Sequence, residues 1–450
     1  MKKIFNILLT IFILNTSILA ASSALSLDEA IEILKSNNLE IKSASLDVQN
    51  AKENIYTASG NHWGKLDFIQ DFATSDDAGN VFGFKLASRE ATFNDFGFAD
   101  FGTISNDTPP QDLNYPDSRN FFQSKLKYEI PLFTGFKISS YVDVMKSMSK
   151  LKKLEKSKVI HEKIYELRKS FYDMALLRES TLNLNIILQN INTLQNITQN
   201  MIEVGYAKKV DLLEVKAKKG NVERLISQMH SNQKLLYHYI SFLLNQKITD
   251  IKTPSINVTM PLLSNEEILN SNLDIQRAAS GLNVRKSMID VSKSSYYPTL
   301  GAFAEVSTAD DNFLGDASDH ASYTVGARLT WNIFNGGIDS ANVEMSRLDF
   351  LKSKTQVALA KSGISLKVQK IRTEIETFDK DIESLEKELA LADEIYKNYE
   401  GRYREKLSSM ADVIIKQSEQ IEKILQLQQT RNKRNERIFA LEKLANGDLQ

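Results

Sequence analysis

"KLKYEIPLFTGFKISS" occupies residues 125–140, and "GARLTWNIFNGGIDSA" occupies residues 326–341. In both, alternating polar and apolar residues run into Phe-x-Gly. Phe133 and Gly135 in the first stretch match Phe334 and Gly336 in the second, each pair 201 positions apart. Alternation with period two marks a strand with one wetted and one apolar face. A glycine just beyond it supplies the backbone freedom for a sharp bend. The reading of the whole chain turns on this strand and bend, made twice.

Long helices are predicted after each bend. The seven prolines are Pro109, Pro110, Pro116, Pro131, Pro254, Pro261 and Pro298, so none falls between 132 and 253 or after 298. Proline in a helix interior costs ~3 kcal/mol, and its absence permits two long tracts. Ile160, Ile164, Leu167, Phe171, Met174, Leu184, Leu188, Ile191, Leu194, Met201 and Val204 recur mostly at the three- and four-residue steps of a coiled-coil seam. Gly205 is the first glycine after Gly135. A helix from about Ile138 to Val204 would be ~100 Å long at 1.5 Å per residue.

The duplication extends on both sides of the bends. At the same offset of 201, "VGYAKKVDLLEV" (204–215) overlies "EKLSSMADVIIK" (405–416), with Asp211 on Asp412. Before the bends the offset is 234: "NLEIKSASLDV" (38–48) parallels "NLDIQRAASGL" (272–282), and "NHWGKLD" (61–67) parallels "SYYPTLG" (295–301). Both copies open on a capping box, Ser26 with Glu29 and Ser264 with Glu267. The first copy therefore carries about 33 extra residues between its first strand and its bend. The predicted plan is helix, strand, loop, strand, long helix, tight turn, helix, executed at 25–245 and again at 264–450, with 246–263 as linker.

Four strands are predicted. Leu66, Phe68 and Phe72 alternate with Lys65, Asp67 and Asp71; Phe122, Leu126, Tyr128 and Ile130 with Gln123, Lys125, Lys127 and Glu129. Leu300, Ala302, Ala304 and Val306 alternate with Thr299, Gly301 and Glu305, and Tyr323 to Trp331 with Thr324, Arg328 and Thr330. Each is about the length of a tilted membrane-crossing strand. The alternative is a pair of hairpins packed on a soluble core, but no other segment reads as such a core. Four strands cannot close a barrel and open edges are not tolerated in lipid, so several chains would have to pool them. The loops within the hairpins are polar and turn-rich.

Residues 1–24 have Lys2 and Lys3, an apolar run from about Ile7 to Leu14, and Ser22-Ser23-Ala24. That is the layout of a cleaved secretory signal peptide; the alternative is an N-terminal anchor, for which the apolar core is short. There is no cysteine, so disulfides, thiolate metal sites and a lipidated N-terminal cysteine are excluded. His62, His161, His230, His238 and His320 show no metal-ligand spacing. Basic and acidic residues number 56 and 57, which argues against a nucleic-acid binder. No nucleophile elbow, zinc pair or phosphate loop is present, so the chain does not read as an enzyme, and no cofactor is implied.

The signal peptide, "LSLDEAIEIL" (25–34), "SYYPTL", "WNIFNGG", "VGYAKKVDLLEV" and the doubled plan resemble the TolC family of outer-membrane efflux proteins over essentially the whole chain after the signal. The resemblance implies a mainly α protein with a β-barrel part. Three protomers would pool four strands each into a transmembrane β-barrel, continued by a hollow coiled-coil α-barrel into the periplasm of a Gram-negative bacterium. It also implies a periplasmic adaptor (membrane fusion protein) and an inner-membrane RND or ABC pump as partners, with outer-membrane lipid around the barrel. Phe133, Gly135, Phe334 and Gly336 would then mark the strand-to-helix turns.

In such proteins the helical tips carry the gate and the adaptor contact. The resemblance places the gate at Asp211, Tyr403 and Asp412, and the adaptor contact at Val204, Gly205, Tyr206, Lys406, Leu407 and Ser408. Two positions depart from the family pattern: its gate arginine falls on Ser408 and its second ring aspartate on Ile415. Tyr403–Asp211 is the contact left available, and Lys406 stands where a glycine is common. Asp211 and Asp412 have a second reading, as helix N-terminal caps. The implied function is a passive exit channel for efflux or type I secretion; the alternative is a periplasmic coiled-coil adaptor.

Overall fold

The computed structural model describes residues 24–445 other than 100, 106, 256, 257, 314 and 317. The signal peptide expected over 1–24 thus lies, but for Ala24, outside the described residues. In chain order the elements are α1 (Leu27–Asn37), α2 (Leu39–Gly60), β1 (Lys65–Ser75), α3 (Ala78–Ala87), α4 (Gln111–Asn114), β2 (Arg119–Phe133), α5 (Lys137–Glu203) and α6 (Lys209–Leu244). There follow α7 (Asn265–Ser271), α8 (Leu273–Lys293), β3 (Thr299–Asp310), β4 (Ser322–Thr330), α9 (Ile338–Arg404) and α10 (Met410–Leu444). The fold is mostly helical with one small antiparallel sheet. Both α5 and α9 have 67 residues. The chain forms two compact units, one of Met1–Leu46, Glu155–Gln276 and Ala360–Gln450, the other of Asp47–Leu154 and Arg277–Leu359.

The second unit holds the sheet, in the order β1-β2-β3-β4. The registers pair Phe68 with Leu126, Leu126 with Val306, and Val306 with Tyr323. Alternation therefore sorts the sheet into two faces. One carries Leu66, Phe68, Phe72, Leu126, Val306, Tyr323, Val325 and Leu329, all exposed, with Phe68 at 68% and Val325 at 72%. The polar pair on that face is self-satisfied: Ser124 donates to Gln70 Oε1 at 2.6 Å. The other face carries ion pairs, Lys65–Asp67 at 2.6 Å, Lys127–Glu129 at 2.7 Å and Lys125–Glu305 at 3.6 Å. β1 and β4 each have one edge without a partner strand among the described residues.

The bend after β2 explains its sequence. A bulge between Pro131 and Phe133 ends the ladder, where proline's missing donor does least harm. Gly135 then takes φ +61° and Phe136 φ +65°. A Cβ on Gly135 would lie 2.5 Å from the Ser294 carbonyl oxygen and 2.8 Å from Tyr297 Cβ. The Phe136 ring packs edge-on against Phe133 at 5.3 Å and Tyr297 at 5.8 Å. After β4 the equivalent bend has φ +69° at Gly336 and +83° at Gly337, in open space, with Phe334 85% exposed.

The segment between β1 and β2 departs from the loop expected there. Asp77 caps α3 by accepting from Asn80 N at 3.0 Å. Val81 is buried, Phe84 stacks on Phe121 of β2 at 4.2 Å, and Phe82 meets Phe96 edge-on at 5.0 Å. Lys85 pairs with Asp95 at 2.5 Å, and Arg119 with Glu90. Asp95 and Phe96 thus pack on α3, and Glu90 is tied to β2.

The first unit is built from three apolar clusters along the helices. Leu34, Ile41, Leu167, Phe171, Ile240 and Ile251 join α1 to α5 and α6. Ile268, Val368, Ile371, Ile438 and Leu441 join α7 to α9 and α10. Leu184, Ile191, Leu194, Val215, Tyr403 and Val413 join α5, α6, α9 and α10. The predicted seam of α5 lies in these clusters from Ile160 to Met201, but Val204, beyond the helix end, is exposed. Two buried asparagines lock the short helices to the long ones. Asn38 donates to Leu243 O at 2.8 Å and accepts from Glu40 N and Ile41 N; Asn272 donates to Leu444 O at 2.9 Å and accepts from Asp274 N and Ile275 N. The 246–263 linker is tied down: Lys252 N donates to Leu25 O, Arg178 pairs with Asp250, and Arg434 donates to Val258 O.

Ion pairs join α5 to α10: Lys443–Glu162 at 3.5 Å, Arg168–Glu442 at 3.0 Å, Lys169–Glu436 at 3.1 Å and Arg431–Glu179 at 3.5 Å. Asp173 sits within this series, and its Oδ1 has no hydrogen-bond partner. Burial pushes its carboxyl up to about 6, against the pull of Lys169 and a hydrogen bond from Asn432. A folded pKa above the unfolded one makes the group's contribution to stability greatest in acid and lost as pH rises through about 6. Asp173→Asn should therefore stabilise the fold by about 2 kcal/mol at pH 8. It should also flatten the stability change between pH 4 and pH 7 in thermal melts; an unchanged profile would refute the assignment.

Candidate functional site at the helical turns

The turns α5–α6 and α9–α10 end their helices in the same way. Gly205 N donates to Ile202 O at 3.0 Å and Tyr206 N to Met201 O at 2.7 Å; Lys406 N donates to Tyr403 O at 3.0 Å and Leu407 N to Arg402 O at 2.7 Å. This is the paired closure of a helix whose C′ residue is left-handed. Gly205 has φ +80° and Lys406 φ +65°. For lysine that conformation costs about 1–2 kcal/mol.

The next helices are capped by the two aspartates. Asp211 accepts from Lys208 N at 2.8 Å. Asp412 closes a full capping box: it accepts from Ser409 N at 3.1 Å and Oγ at 2.6 Å, while its own N–H donates to Ser409 Oγ at 3.2 Å. Those hydrogen bonds from Ser409 hold the Asp412 carboxyl below its ordinary range. Both aspartates therefore make helix-capping contacts, the second of the two readings the sequence left open.

Tyr403 is 5% exposed, and its hydroxyl lies 3.5 Å from Thr198 Oγ1. Burial raises its pKa, as does the negative charge of Asp211, while the bond to Thr198 opposes the rise. The expected Tyr403–Asp211 contact is thus replaced by Tyr403–Thr198, with Asp211 engaged at its own helix start. Thr198 donates back to Leu194 O at 2.8 Å; nothing in its neutral, mid-helix setting singled it out. Ser408 donates to Tyr399 O at 3.3 Å, a backbone contact only. Lys406 Nζ lies 3.2 Å from the centroid of the Tyr206 ring. Val204, Tyr206, Val210, Leu213, Leu407 and Ile415 are exposed around the turns.

Residues 265–447 match the model of the family described as "Outer membrane efflux protein". The second half of the chain is therefore similar to that family. No curated protein matched the chain. Solved structures of similar fold cover both halves of the chain. CusC is 14% identical with TM-score 0.77, covering 94% of this chain and 92% of its own. VceC from Vibrio cholerae is 14% identical with TM-score 0.75, covering 94% and 97%. The CmeC outer membrane channel of Campylobacter jejuni is 12% identical with TM-score 0.74, covering 93% and 85%. The matched segment contains α7 to α10, hence Tyr403, Lys406 and Asp412.

Proposed function

We propose that the protein is an outer-membrane exit channel of a tripartite efflux system, a passive conduit whose energy comes from an inner-membrane RND or ABC pump through a periplasmic adaptor. The observation that carries this reading is the sheet: one face apolar and uncovered, the other charged, both outer edges open. Lipid satisfies the first, an aqueous lumen the second, and neighbouring protomers the third. In this reading the chain is two repeats of one unit, and three protomers complete a twelve-stranded barrel. The turns at Phe133-Thr134-Gly135 and Phe334-Asn335-Gly336 lead each wall strand into a periplasmic helix. An adaptor built only of helical hairpins has no use for a sheet with an uncovered apolar face.

Among the described residues no helix is long and apolar enough to cross a membrane, so membrane residence falls to the strands. Asp211, Tyr403 and Asp412 form the periplasmic gate in this reading. Tyr403 is held through Thr198, and the aspartates both cap helices and present carboxylates to the entrance. The exposed apolar residues at the turns would receive the adaptor. The test is fractionation followed by planar-bilayer recording. The wild type should partition with outer membrane and conduct. Phe68→Arg, on the apolar face, should cost about 2–4 kcal/mol of insertion energy and prevent assembly. Asp71→Asn, on the charged face, should leave insertion intact. Equal tolerance of both would sink the lipid-facing assignment.

A further inference from the structure

Lys406 has a left-handed backbone where the matching turn uses glycine, and among the described residues it makes no ion pair. Its ammonium lies 3.2 Å from the Tyr206 ring centroid. The two residues come from different hairpins, Tyr206 from the α5–α6 turn and Lys406 from the α9–α10 turn. A glycine or asparagine would end α9 with less strain, so the unfavourable conformation at Lys406 needs an offsetting contact, and the ring supplies it. A cation on an aromatic face is attracted by the ring quadrupole.

We propose that Lys406 is a positioning residue that latches the two hairpin turns of one protomer together through the face of Tyr206, and that the latch must part when the entrance opens. This rests on the exit-channel reading and adds to it a contact made within a single chain. Its strength should depend less on salt than that of a carboxylate–lysine pair, because no anion has to be screened.

The test is a double-mutant cycle in the assembled protein, using Lys406→Asn, which tolerates the left-handed backbone, and Tyr206→Leu. Each single variant should raise the open fraction in bilayer recordings about three-fold, at low and high salt alike. The double variant should rise no further, and Lys406→Arg should behave like wild type. Because the chain has no cysteine, Tyr206→Cys with Lys406→Cys can be bridged by a short thiol cross-linker; bridging should close the channel and release reopen it. Additive effects, or an open fraction unchanged in the single variants of a conducting protein, would overturn the latch. The same cycle read by thermal unfolding separates the two claims: coupling in a protein that does not conduct keeps the contact and removes the channel. Absence of coupling in a conducting protein does the reverse.

Discussion

Gly135→Ala should reduce folded, membrane-inserted protein to a small fraction of wild type, while Gly336→Ala should leave most of it intact. Both glycines have φ above +60°, which costs alanine about 1–2 kcal/mol. Only at Gly135 does the new methyl also meet fixed atoms, the Ser294 carbonyl at 2.5 Å and Tyr297 Cβ at 2.8 Å. Backbone cannot yield as a flexible side-chain end can, so overpacking adds about 2–3 kcal/mol. The combined penalty of about 3–5 kcal/mol is a large share of a domain's typical stability. Comparing the two variants by heat-modifiability on gels and by denaturant midpoint checks the claim. Equal losses would mean that the backbone conformation alone matters and the close approach does not.

Asn272→Ala should cost about 3 kcal/mol, and Asn38→Ala a similar amount. Each side chain satisfies three backbone groups, two of them in buried bonds: the carbonyl near the end of a long helix and two N–H groups opening the helix that follows the short one. Alanine orphans all three, at about 1 kcal/mol or more apiece. Aspartate would keep the capping acceptor but lose the donor, and should fall between alanine and wild type. Thermal melts of the three variants at each site provide the ranking. A loss under about 1 kcal/mol for alanine would show that water replaces the amide.

The strands and long helices were legible because their signals are regular and local. Period two ran through β1 to β4, and proline was absent where α5 and α9 lie. The match between "NNLE" and "SNLD" already contained Asn38 and Asn272, but matching letters did not reveal that each reaches a helix end over a hundred and seventy residues away. Helix α3 was hidden because Gly79 and Gly83 dilute its pattern, and its stability comes from Phe84 on Phe121. The turn at Gly205 was visible as glycine. Its partner at Lys406 was placed by the repeat, but a left-handed lysine there was not legible, since that conformation is held by the closure of α9. Thr198 escaped notice because a neutral hydroxyl within a helix has no sequence signature as the partner of a tyrosine.

The open edges of β1 and β4 also set a kinetic problem. In the proposed trimer, each sheet is until closure a template that any second copy can extend, and the first collision need not be the correct one. A slip of one residue between β4 and an incoming β1 would bring Phe68 and Leu66 to the charged face, so that error corrects itself energetically. A slip of two keeps every side chain on its proper face and is the dangerous one. It is opposed by the strand ends, where Trp331 donates to Tyr296 O and Tyr128 donates to Trp63 O, fixing aromatic groups at one level of the wall. Productive closure is then a race between collision rate and proofreading. Raising the expression level should favour aggregates over channels well before it exhausts the supply of folded helices.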